Sequence, residues 1–278
     1  MPIPPTSDGF NSTPIAWLLE HYPACKPRIG MVLGSGLGGL ADSIEQPTRI
    51  PFEAIPHFPL PRVQGHQGCL IFGTLGGIQI AMLQGRCHLY EGWSPEEALV
   101  PLSTLIDLGI ELVILSNASG GINPRFRSGQ VVAIDSHIDW LFQGPKIPNP
   151  NPAIASMLGR SHRSYDPLWL ARAQETALEL GFQLSTGTYL ATRGPNYETR
   201  AEYRAFAHMG AEMVGMSTVP ESLLAMRSGV PVLAFSVVTN VANPDQPSAT
   251  EHSDVLEWSK VARSKLEPLV KTIASKYF

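Results

Sequence analysis

The chain has 278 residues, of which 44% are hydrophobic and 16% charged, with a formal net charge of −4. That length and apolar content suit one large α/β domain with a substantial core and argue against disorder, and the acidic balance argues against a general nucleic-acid binder. Three cysteines without a CxxC pair read as reduced thiols of a cytoplasmic protein, and no apolar run approaches the length that spans a bilayer.

Residues 1–12 read as a flexible arm without the basic and apolar regions of a signal peptide, and 13–278 as a single domain. A short helix is predicted over 14–22. A compact apolar run over 28–33 reads as a buried strand that enters the glycine turn Gly34-Ser35-Gly36-Leu37-Gly38-Gly39. Residues 46–62 are rich in proline and read as an extended excursion. Two strands, 69–75 and 78–83, flank Gly76-Gly77, a hairpin signal because both positions tolerate positive φ. Ser94-Pro95-Glu96-Glu97 has the N-cap, the N1 proline and the N3 glutamate of a helix start, and Gly109 stops that helix.

Another buried strand, 112–115, leads into Ser116-Asn117-Ala118-Ser119-Gly120-Gly121, read as a turn at a strand's carboxyl end. A strand follows at 131–134. Residues 143–163 are irregular, as a functional or interface loop would be. Asp166-Pro167 starts a helix that Gly181 ends, 187–192 is a strand, and Thr199 with Glu202 forms a second capping box. A strand at 213–216 leads into a helix over 219–228. The strand 232–239 and a helix from 253 complete the chain. Buried strands alternating with helices predict an α/β fold with a central mixed, largely parallel β-sheet flanked by helices.

The glycine turn matches G-x-G-x-x-G, and Glu53 lies where a ribose-binding acid is expected, so a dinucleotide site is one reading. Prolines 47 and 51 interrupt the unit that reading needs. An anion cradle of backbone N–H groups and the Ser35 hydroxyl keeps the same physics without the cofactor. In Gly85-Arg86-Cys87-His88-Leu89-Tyr90-Glu91-Gly92, a continued strand would point Arg86, His88 and Tyr90 to one face. Guanidinium suits phosphate oxygens, imidazole can share that anion, and phenol can reach a hydroxyl. His66, between glycines, is either a loop residue or part of the site. His252 is either a ligand or an ordinary capping histidine. No histidine pair has metal spacing, so no metal is expected. Gly194-Pro195-Asn196-Tyr197-Glu198-Thr199 sets a carboxylate beside an aromatic ring, and Asn240 brings an amide that suits a purine edge.

These motifs, with Gly65-His66-Gln67-Gly68, Val214-Gly215-Met216-Ser217-Thr218-Val219-Pro220-Glu221 and Val238-Thr239-Asn240, resemble the trimeric, 6-oxopurine-specific purine nucleoside phosphorylases from about residue 29 to 265. The resemblance implies reversible phosphorolysis of inosine, guanosine and their deoxy forms in purine salvage, by a cytoplasmic homotrimer that needs no cofactor beyond inorganic phosphate as co-substrate. No nucleic-acid or membrane partner is implied. It implies phosphate binding by Ser35, His66, Arg86, His88, Ala118 and Ser217, and ribose binding by Tyr90, Met216 and His252. Tyr197, Glu198 and Asn240 would bind the base, with His88, Asn240 and Glu198 the catalytic set. Tyr197 stands where the family often has phenylalanine, and Val241 where it commonly has lysine. Leu158 is the nearest match to the aromatic residue that a neighbouring subunit usually lends. Asn240 and His252 speak against the related 5′-methylthioadenosine phosphorylases.

Overall fold

The computed structural model describes residues 13–35, 37–63, 65–142, 163–242 and 252–278, the last range without the side chains of residues 252–256. The arm at 1–12, the loop around Leu158 and the His252 side chain therefore lie outside the described residues. The helices are α1 (Pro14–His21), α2 (Pro95–Asp107), α3 (Pro167–Glu179), α4 (Arg200–His208), α5 (Val219–Arg227) and α6 (His252–Tyr277). The strands are β1 (Ile29–Leu33), β2 (Glu45–Pro51), β3 (Cys69–Leu75), β4 (Ile78–Gln84), β5 (Leu112–Gly121), β6 (Gln130–Asp139), β7 (Ser185–Ala191), β8 (Met213–Gly215) and β9 (Val232–Val241).

They form one mixed sheet of order β2-β3-β4-β1-β5-β8-β7-β6-β9. Its centre is parallel along β4-β1-β5-β9, and β6-β7-β8 is parallel too. The β2-β3-β4 flank and the β6–β9 and β5–β8 joints are antiparallel. Because β5 also pairs with β9, the strands β5, β8, β7, β6 and β9 close on themselves. Gly120 of β5 is opposite Asn240 of β9 and Val214 of β8 at once.

Both faces of the central strands are covered, so strands such as β1 and β4 read as nearly continuous apolar runs. In β1, Ile29, Met31 and Leu33 pack into the layer that holds Leu266, Leu269 and Ile273 of α6. Val32 packs into the other layer, with Leu102 and Leu105 of α2 and Val219 of α5. Parallel strands ending on one side leave their loops together there, where ligands of α/β sheets sit.

Local chemistry behaves as the sequence predicts where it is strongest. Ser94 and Thr199 each accept from the N3 backbone N–H while Glu97 and Glu202 reach back to the cap. Gly76 and Gly77 take φ of 60° and 85° in the β3–β4 hairpin. Three expectations are corrected. Residues 45–51 are a strand at the sheet edge, where Pro47 and Pro51 are tolerated because one side of the strand needs no ladder bonds. Residues 116–121 continue β5 and pair with β9 instead of turning. Strand β4 stops at Gln84, and Gly85 at φ 132° leads into an irregular stretch and the short 3-10 helix Leu89–Glu91, so strand alternation is not what aligns Arg86, His88 and Tyr90.

The glycine turn runs into a six-residue 3-10 helix, Gly38–Ser43, and Glu53 is exposed in another at Phe52–Ala54. A 3-10 helix, and not the α-helix that a dinucleotide unit requires, follows the turn, which removes the dinucleotide reading. Gly34 is needed for a different reason: a Cβ there would lie 2.6 Å from the Ser116 carbonyl oxygen and 2.7 Å from Asn117 Cα. Gly34→Ala is expected to push β1 and β5 apart and lower stability by about 1–3 kcal/mol, read from a urea melt.

Candidate active site

A cavity of about 280 Å3 opens where the carboxyl ends of β1, β4, β5, β8 and β9 meet. Its lining includes Ser35, Arg86, His88, Ala118 and Ser217, together with Tyr90, Met216, Tyr197, Glu198 and Asn240. Ten of the twelve sequence-predicted residues thus share a single hollow. His66 stands behind the wall, and the His252 side chain is not among the described residues.

Arg86 is 5% exposed, and its Nε and Nη1 are held by three partners. Its Nε donates to Glu221 Oε1 at 2.7 Å, and its Nη1 donates to the Ser116 carbonyl at 3.0 Å and to Ser217 Oγ at 3.3 Å. Nη2 is buried and has no partner among the described residues. A buried guanidinium N–H without an acceptor is costly unless a ligand completes it. The chemistry that completes it is an anion.

The histidines are oriented by what they touch. The Arg86 backbone N–H donates to His66 Nδ1 at 3.1 Å, so the neutral imidazole carries its proton on Nε2 and offers it to Ser35 Oγ at 3.2 Å. His88 Nδ1 lies 3.0 Å from Glu91 Oε1, and an ionised carboxylate only accepts, so Nδ1 holds the proton there. Burial works against Glu91 ionising, yet hydrogen bonds from the His88 side chain and the Arg62 and His88 backbone hold its carboxyl below the usual range. The His88 ring stacks on Tyr90 at 4.8 Å and 15° and meets His66 edge-on at 5.1 Å. Burial pushes the Tyr90 phenol up to about 12, so it remains a hydroxyl at any working pH.

Ser217 precedes a strained backbone. Thr218 has φ 71° and ψ −44°, and Val219 N–H closes on the Ser217 carbonyl at 2.8 Å, which makes a γ-turn. A β-branched residue with positive φ is costly and persists only when its surroundings over-determine it. Asn117 Nδ2 supplies that restraint by donating to Thr218 Oγ1 at 2.8 Å, and Ser236 Oγ lies 2.6 Å from both Asn117 Oδ1 and Ser119 Oγ. The polar residues of β5 therefore anchor the loop that carries Ser217.

The loop after β7 is fixed by Thr192, whose backbone N–H donates to the Gly215 carbonyl at 2.8 Å and whose hydroxyl donates to Glu198 Oε1 at 3.2 Å. Burial raises the Glu198 carboxyl, against hydrogen bonds from its own backbone, Thr192 and Tyr203. Asn240 Oδ1 accepts from Thr239 Oγ1 at 3.3 Å. Tyr197 is 54% exposed at the mouth.

Sequence reasoning missed Tyr203, Glu221 and Glu91 as site residues. Glu221 stood inside a quoted motif, but only the fold shows that it meets Arg86. Tyr203 lies one turn into the helix that Thr199 caps, the place a residue must occupy to overhang Glu198. Among the described residues no three histidine, cysteine, aspartate or glutamate side chains group to hold a metal ion, and no helix is long and apolar enough to cross a membrane.

The family model for the phosphorylase superfamily matches residues 28–275. Purine nucleoside phosphorylase 1 of Bacillus subtilis is 39% identical over 263 residues, covering 94% of this chain and 96% of that protein. A schistosoma purine nucleoside phosphorylase in complex with hypoxanthine has a TM-score of 0.81 at 31% identity, covering 95% of this chain and 96% of the other. The Schistosoma mansoni purine nucleoside phosphorylase in complex with adenosine gives 0.80 at 32%, with 95% and 97% covered.

Proposed function

This chain belongs to the phosphorylase superfamily, in its purine nucleoside phosphorylase family, and we propose that it cleaves inosine, guanosine and their 2′-deoxy forms with inorganic phosphate. The observation that carries this is the make-up of one cavity: a buried guanidinium with an unpartnered Nη2, and in the same lining a carboxylate with an amide. An anion at Arg86 and a flat heterocycle at Glu198 would leave the pentose between them, against Met216 and Tyr90.

The reaction follows from charge. The C1′–N9 bond breaks, its electron pair goes to the purine, and a phosphate oxygen takes the bond to C1′. Phosphate held by Ser35, which His66 orients from behind, Arg86, His88, the Ala118 backbone N–H and Ser217 stabilises the cationic sugar before it attacks. Asn240 strengthens its hydrogen bond to N7 as that atom gains charge, which is selective stabilisation of the transition state by preorganised dipoles. Glu198, ionised, accepts from the N1 proton of a 6-oxopurine, which adenine lacks. Tyr90 and His252 would hold ribose hydroxyls. Adenosine is seen bound to the Schistosoma mansoni relative, so discrimination is expected in turnover rather than in binding alone.

The same reading takes residues 13–278 as one domain with no metal or cofactor, and carries homotrimeric assembly, a cytoplasmic location and a place in purine salvage. The exposed rings of Trp140 and Phe142, 4.9 Å apart, offer apolar surface to a neighbouring subunit. Incubating the protein with inosine tests the central claim: hypoxanthine and ribose 1-phosphate should form only when phosphate is added. Equal hypoxanthine release in its absence would make the protein a hydrolase and remove the role given to Arg86.

A further inference from the structure

Resting on the 6-oxopurine reading of the cavity, we propose that Tyr203 is a specificity-determining positioning residue, whose hydroxyl links the Asn240 amide to the Glu198 carboxylate and holds both in the state that reads a 6-oxo edge. Three elements converge to make this link. Tyr203 is in the first turns of α4, and its ring packs beside the small cluster of Ile122, Phe206 and Val214. Its hydroxyl enters the cavity wall with Glu198 and Asn240. A methyl group placed on Gly120 would lie 3.3 Å from Tyr203 Oη and 3.7 Å from Asn240 Nδ2, so the two polar tips overhang the same bare backbone.

The Tyr203 hydroxyl stands beside the Asn240 amide over Gly120 and shares the cavity lining with Glu198, near enough to act on both. The donor directions follow from what each group can do. The carboxylate accepts only, so the phenol donates to it. Asn240 Nδ2 is the side that overhangs Gly120 beside Tyr203, while Oδ1 turns to the Thr239 hydroxyl, which it shares with the Ser119 carbonyl. In this arrangement donors run from Asn240 through Tyr203 to Glu198, whose carboxylate also accepts from Thr192. The second N–H of that amide is left for the base. Burial and the nearby Glu198 charge raise the Tyr203 phenol, so it stays a donor. The groups set toward Glu198 are Tyr203 and Glu202 of α4, Thr192 after β7 and its own backbone; Glu202 is the one that opposes its ionisation by charge.

Without the hydroxyl, two things change together. Glu198 loses a donor and protonates at higher pH, and the Asn240 amide, no longer held at its NH2 and with the Thr239 hydroxyl able to stay on the Ser119 carbonyl, can turn to present its oxygen. A protonated acid that donates to N1 and an amide oxygen that accepts from an amine are the pattern adenine wants. The test is Tyr203→Phe against the wild type, with kcat/KM for inosine and adenosine followed from about pH 5 to 9 and a thermal melt on each protein. The inosine value is expected to fall about tenfold at neutral pH with its acid limb moved upward, and the adenosine-to-inosine ratio to rise about tenfold. Phe206→Leu, which loosens the same helix and keeps the hydroxyl, should leave limb and ratio in place. A folded Tyr203→Phe enzyme with wild-type limb and ratio overturns the inference, as does a Phe206→Leu enzyme that moves both equally. Wild-type protein inert toward inosine would instead remove the substrate reading beneath it.

Discussion

Arg86→Ala is expected to lower kcat/KM for phosphate by about 10³-fold or more, because it removes the buried donor aimed at the charge that must be stabilised. The same change should cost about 3–5 kcal/mol of stability, since it leaves Glu221 as a buried charge without its partner. Both effects come from one geometry: the guanidinium and the Glu221 carboxylate are almost fully buried, with side-chain exposures of 4% and 11%, and 2.7 Å apart. They can be separated. In Arg86→Ala with Glu221→Gln the orphaned charge is gone, so most of the lost stability should return in a urea melt while the catalytic loss persists. Stability that does not return would mean the Arg86 stem, not its charge pairing, holds this end of the cavity. Phosphate kinetics near wild type in either variant would mean that the anion binds elsewhere.

What could be read from the chain beforehand divides along physical lines. Signals that act within a few residues were legible: the capping boxes at Ser94 and Thr199, the paired positive-φ glycines at 76 and 77, and the stop at Gly109, φ 86°. Signals decided by distant partners were not. Ser116-Asn117-Ala118-Ser119-Gly120-Gly121 has little β propensity of its own, and it is strand because β9 pairs along its whole length. Pro47 and Pro51 argue against a strand until β2 is known to lie at an edge.

The site shows the same division. Arg86, His88 and Tyr90 were correctly grouped for a reason that does not hold, since β4 ends before them and the Gly85 turn with a 3-10 helix aligns them instead. Motif chemistry found ten of the residues that line the cavity. It did not find Glu221, Glu91 or Tyr203, because each works by holding a facing residue, and such a partner is defined only once the sheet closes.

Asn240→Asp should lower the inosine kcat by about 10²–10³-fold and raise adenosine turnover relative to inosine. The introduced carboxyl would share the Tyr203 hydroxyl with Glu198, whose own carboxyl burial already raises. Two carboxyls at such a site do not both ionise readily, so one takes up a proton. When the introduced group is the protonated one, its O–H donates to N7 and its carbonyl oxygen accepts from a 6-amino group, which turns the edge preference toward adenine. The sign of the pH dependence follows. As pH rises the proton leaves, the donor to N7 is lost and two negative charges face the leaving base, so adenosine cleavage should decline toward alkaline pH. Measuring kcat for both nucleosides across that range decides the matter. An inosine rate equal to wild type would show that the Asn240 amide does not touch the base, and with it would go the assignment of the Glu198 end of the cavity to the purine.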